Sequence, residues 1–106
     1  VTRKDLQPGA QIAQSCHVAI AFCMEHPEVE RLWYEVSNYI AVLVVNNESE
    51  LRKLIDRAER NGVQFSIFRE PDFDNQITAI AIEPGDRGRR LCSSFPLALK
   101  ELGLNG

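Results

Sequence analysis

His17, one of only two histidines in the chain, follows Gln14-Ser15-Cys16 in a stretch whose small and polar residues recur at helical spacing. Ala10, Ala13, Gln14, His17 and Ala21 lie three or four residues apart and share one stripe of a helix. Imidazole is the side chain that exchanges a proton near neutral pH. Flanked by alanine and glutamine, it sits where a substrate can approach closely. The same residue also suits the edge of a core, with a ring nitrogen bonded to a backbone carbonyl. Thr78 alternates with Ile80 and Ile82, and a hydroxyl on a face of isoleucines needs a partner, either backbone or substrate. Arg3 and Lys4, just ahead of Asp5, could meet a phosphate or could be solvated charges that blunt a sheet edge. Arg87, Arg89 and Arg90 form the one dense basic run, suited either to phosphate contacts or to plain solvation.

The elements that position these residues follow from periodicity. Residues 1–6 predict a short strand, and Gln7-Pro8-Gly9 the turn into a helix over 10–26. The apolar stripe of that helix, Ile12, Cys16, Ala19, Ile20 and Cys23, is expected to face the core. Pro27 starts a second helix to about Val36, with Glu28 and Glu30 near its positive end. Residues 39–45 are almost unbroken apolar residues, the pattern of a central strand covered on both faces. Asn47 and Glu50 predict a capping box for a helix that buries Leu51, Leu54, Ile55 and Ala58 and ends at Asn61-Gly62. A strand over 63–70 completes a β-α-β unit, and the short connection through Pro71 to Asn75 predicts an antiparallel strand over 76–83. Residues 84–90 read as a flexible basic loop, and 91–102 as a segment broken or started by Pro96. The expected architecture is a three-layer α-β-α fold around a small mixed, mostly parallel sheet of about four strands, with residues 1–106 forming one domain.

Composition narrows the classes. A chain of 106 residues supports one core, and 44% hydrophobic with 25% charged residues is ordinary globular composition. A net charge of −3 counts against a non-specific nucleic-acid coat, though a local basic patch is compatible with it. The three cysteines, Cys16, Cys23 and Cys92, lack metal-ligand spacing and point to the reducing cytoplasm. No apolar stretch has the length of a membrane span, and no metal or cofactor is implied.

The ordered set of motifs resembles the type-two peptidyl-tRNA hydrolases, the archaeal and eukaryotic class. Arg3-Lys4-Asp5-Leu6, Gly9, Ala13-Gln14 and His17-Val18-Ala19 match that family's opening strand and Ala-Gln-x-x-His-Ala helix. Residues 40–45, 48–62, 63–70 and 76–84 follow in the family's order, so the resemblance covers residues 1 to about 84. It implies hydrolysis of the ester between a peptide and the 3' end of tRNA, with peptidyl-tRNA as partner and a homodimer as assembly. By the same resemblance His17 orients or deprotonates the attacking water, Glu70 or Asp72 is its acidic partner, and Thr78 belongs to the site. Arg3, Lys4, Asp5, Gln14, Arg87, Arg89 and Arg90 are the candidates for binding substrate. Two departures stand out. The family's Gly-Lys is Gly9-Ala10 here, and the loop between the last two strands is short and lacks the family's arginine. A non-catalytic binding or regulatory module on the same fold is the alternative.

Overall fold

The structure is a computed structural model and describes residues 1–100. Four strands form one sheet: β1 (Thr2–Arg3), β2 (Val44–Val45), β3 (Phe65–Glu70) and β4 (Gln76–Ile82). Their order is β2-β1-β4-β3. The sheet is mixed as expected, but of its three strand pairs only β1–β2 is parallel, so antiparallel pairing predominates. Helix α1 (Pro8–Glu25) covers one face of the sheet, and α2 (Pro27–Val36) packs on α1. Helix α3 (Glu48–Arg60) and the short α4 (Asp86–Leu91) lie on the other face.

Most of the core lies between α3 and the sheet. Leu51, Leu54 and Ala58 recur at helical spacing and meet Ile77 and Ile80 of β4, all of them at most 1% exposed. The helix begins as its sequence requires, with Asn47 Oδ1 accepting from the Glu50 amide at 3.1 Å. The reciprocal bond is not made; the Glu50 carboxylate pairs with Lys53 instead. Gly62 ends the helix at φ 65°, a conformation that glycine adopts without steric cost.

Three further expectations are corrected. The apolar run over 39–45 is not a central strand: only Val44–Val45 pairs, at the sheet edge, while Tyr39 and Ile40 are 83% and 70% exposed. Val45 packs into the α3 core, whereas Val42 and Val44 are covered by residues 96–99. The Val44 amide donates to the Pro96 carbonyl, the Ala98 amide to the Val42 carbonyl, and Val44 packs with Ala98 and Leu99. The central strands are β1 and β4. Residues 86–91 form a helix rather than a loop, and of the expected segment 91–102 the last two residues lie outside the described ones.

The third correction concerns α1. Its buried residues are Gln11, Gln14, Val18 and Phe22, while Ile12 and Ile20 are more than half exposed and Cys16 is exposed. The sheet face beneath α1 presents Ser66 and Thr78, both at most 1% exposed. Buried hydroxyls need partners. The helix therefore turns a mixed stripe inward, with Gln11 and Gln14 in its first half and Val18 and Phe22 in its second, and leaves Ile12 and Ile20 outside.

Candidate active site

A β-bulge creates the site. Along the β3–β4 ladder Phe68 pairs with Ala79 and Arg69 with Ile77, so Thr78 is the extra residue with no partner on β3. The bulge interrupts the alternation of β4. Ile77 and Ile80 both reach the α3 side, whereas the Thr78 hydroxyl meets α1. Thr78 thus does not share a face with the isoleucines, contrary to a strict period of two.

The bulge also frees the Ile77 amide, which donates to Glu48 Oε2 at 2.7 Å. That bond, with Arg52 and Arg3 nearby, holds the Glu48 carboxyl below the usual carboxylate range. Arg3 locks the neighbouring register. Its Nε and Nη2 grip the Asp5 carboxylate at 2.9 Å each, and its Nη1 reaches Gln76 Oε1 at 2.8 Å and the Ile77 carbonyl at 3.1 Å. The paired guanidinium lowers the pKa of Asp5, and Asp5 in turn raises that of Arg3. With four hydrogen bonds drawn from its five donors and the residue buried, Arg3 positions strands and has little capacity left for a phosphate, and Asp5 is its counter-ion. Lys4, by contrast, is exposed.

Gln14 is the hub on the α1 side. Its Oε1 accepts from the Thr78 hydroxyl at 2.7 Å, and its Nε2 donates to Glu70 Oε1 at 3.1 Å. Gln14 and Thr78 are 4% and 0% exposed, so this chain of bonds is shielded from solvent along most of its length. Thr2 adds a further link by donating to the Thr78 carbonyl at 2.8 Å. One turn beyond Gln14, His17 stands exposed with its ring stacked on Phe68, 4.7 Å between centroids and 17° between planes. Among the described residues the imidazole makes no hydrogen bond. Neither candidate acid touches it: Glu70 accepts from Gln14, and Asp72 is exposed in the 3-10 turn Pro71–Phe73.

Sequence reasoning missed three participants. Phe68 supplies the platform for His17 and was hidden because strand aromatics read as core. Glu48 was read only as part of a helix start. Gln11 lies one turn before Gln14, 4% exposed; its Nε2 donates to the Leu6 carbonyl, and its Oε1 is a buried acceptor without a partner among the described residues. Its spacing of three from Gln14 was the available signal. Arg87, Arg89 and Arg90 lie on α4, across the sheet from Gln14 and His17. Among the described residues no group of three or more His, Cys, Asp or Glu side chains is placed to hold a metal ion, and no helix is long and apolar enough to cross a membrane.

The arrangement is a small α/β protein with a polar site built between one helix and a bulged strand. A family model described as peptidyl-tRNA hydrolase PTH2 matches residues 1–90, and the chain belongs to that family. Comparison with curated proteins gives no match.

Proposed function

We propose that the protein hydrolyses the ester joining a peptide to the 3' end of tRNA. Family membership supports this reading, and the observation that carries it is the Thr78–Gln14–Glu70 chain of hydrogen bonds beneath an exposed, ring-braced His17. In this reading a water bound beside His17 attacks the ester carbonyl carbon while the imidazole takes its proton. The ribose oxygen leaves with the bonding pair and recovers a proton. Gln14, fixed at both ends of its amide, positions the helix turn that carries His17. We assign the acidic role to Glu70 rather than Asp72, because Glu70 is the one tied into the chain. Thr78 is a positioning residue, and exposed Lys4 supplies a phosphate contact.

Two companion readings complete the picture. The exposed apolar residues of α1 and α2, among them Ile12, Ile20, Leu32 and Val36, favour a homodimer through this face. Three cysteines without a disulfide fit the cytoplasm. One observation favours the alternative, a non-catalytic tRNA-binding or regulatory module: Ala10 stands where the family has lysine. Release of peptide from peptidyl-tRNA, compared between wild type and His17→Ala, separates the two. The enzyme turns over and the variant loses most of its rate, whereas a binding module shows binding without release in both.

A further inference from the structure

Arg57, Arg87 and Arg90 meet in a cleft of about 350 Å³ between the C-terminal end of α3 and α4, lined also by Asn61, Val63 and Leu91. No carboxylate is among the lining residues, in a chain whose net charge is −3. Close approach of α4 makes the cleft. A Cβ added at Gly88 would stand 2.2 Å from the Glu83 carbonyl oxygen and 2.9 Å from Ile82 Cγ2, so glycine is what lets the helix lie against the end of β4.

Two of the guanidiniums are held in place. Arg57 Nη2 donates to the Leu91 carbonyl at 2.9 Å. Arg87 Nη2 donates to the Gly62 carbonyl at 3.0 Å and to the Glu83 carboxylate. Each bond engages only part of a five-donor fork. The Arg90 side chain makes no hydrogen bond or ion pair among the described residues. A merely solvated charge run needs neither a cleft nor anchored side chains. Arg87 is already paired with Glu83, whereas Arg57 and Arg90 have no ion pair among the described residues and repel across the cleft unless an anion joins them. Planar guanidinium forks match the oxygens of a phosphate group.

We propose that this cleft binds phosphate groups, carried either on an RNA backbone or by a small phosphorylated molecule. It lies on the α3 face of the sheet, whereas Gln14, Thr78 and His17 belong to the α1 face, so it is separate from the candidate active site. It stands whether or not the protein is a hydrolase. On an RNA the cleft grips the backbone away from the ester.

The test is NMR of the arginine Nε–Hε groups and the Leu91 amide in the full chain, titrated with sodium pyrophosphate and, separately, with a short RNA duplex bearing an unacylated single-stranded 3' end. Pyrophosphate is expected to shift Arg57, Arg90 and Leu91, and Arg90→Gln, which removes an exposed side chain without partners, to weaken binding about tenfold. Arg31→Gln on α2 is the control and leaves affinity unchanged. If the RNA moves the same signals, with a salt dependence that Arg90→Gln lowers by about one ion, the phosphate is on RNA. If only pyrophosphate moves them, a small phosphorylated molecule is the source. The proposal is overturned if neither probe shifts these signals, or if the shifts spread evenly over Arg31 and Arg52 and survive Arg90→Gln. No ester is present in either titration, so a failure here is distinct from a failure of hydrolysis.

Discussion

Replacing Thr78 with valine keeps the size and branching of the side chain and removes one hydrogen-bond donor. That donor serves Gln14 Oε1 at 2.7 Å, in a place where the two residues are 0% and 4% exposed, so water cannot take over the bond. Leaving a buried acceptor unsatisfied costs about 1–3 kcal/mol. For a domain of this size each kcal/mol lowers Tm by about 4–8 °C, so Thr78→Val should melt roughly 5–20 °C below wild type. Thr78→Ser retains the donor and loses a buried methyl, a cost of about 0.8 kcal/mol, and should keep its turnover. A double-mutant cycle with Gln14→Met isolates the bond. Contacting residues couple by roughly 0.5–3 kcal/mol, so the double variant should be more stable than the sum of the single losses implies. Differential scanning calorimetry reads all three, with peptide release measured in parallel. A Thr78→Val protein that melts with the wild type, or a cycle additive to within about 0.5 kcal/mol, would refute the role given to this bond.

Glu48→Ala removes the acceptor of the Ile77 amide at the bulge and should destabilise by about 1–3 kcal/mol in urea unfolding, while Glu48→Gln keeps an acceptor oxygen and recovers most of the loss. Asp5 and Glu48 both ionise below the ordinary carboxylate range in the folded chain, Asp5 chiefly through Arg3 and Glu48 chiefly through the Ile77 amide. Their stabilisation is therefore present above that range and lost as pH falls through the folded pKa values. Thermal melts from pH 7 to 3 should show an acid limb that flattens in Asp5→Asn and Glu48→Gln; parallel curves would contradict this. Ala10→Lys restores the family's lysine and should raise the rate of peptide release relative to wild type.

Sequence legibility was uneven, for physical reasons. Helix α3 was readable almost residue by residue, because Asn47, the Leu51–Leu54–Ala58 spacing and Gly62 all specify the same element. The antiparallel β3–β4 pair followed from the short turn at Pro71. The central position of residues 39–45 was misread because hydrophobicity reports burial and not what does the burying; here part of the cover is the tail, through Pro96 and Ala98. The inward face of α1 was misread because apolar residues were assigned to the core, whereas the sheet beneath demanded partners for Ser66 and Thr78 and drew in Glu25 and Gln14. Gln14 and Thr78 were named as candidates through the resemblance, and the structure bonds one to the other. That bond depends on a bulge, which leaves no mark in the hydrophobic pattern of β4.

Single-turnover release of peptide from a peptidyl-tRNA, at enzyme concentrations well above substrate, tests the central claim most directly. Wild type should release peptide above the buffer rate, and His17→Ala should lose roughly a hundredfold to ten-thousandfold of that enhancement while melting as wild type does. Thr78→Val should fall between the two. Tight binding of the tRNA with no release by wild type, or equal release by wild type and His17→Ala, would contradict the account.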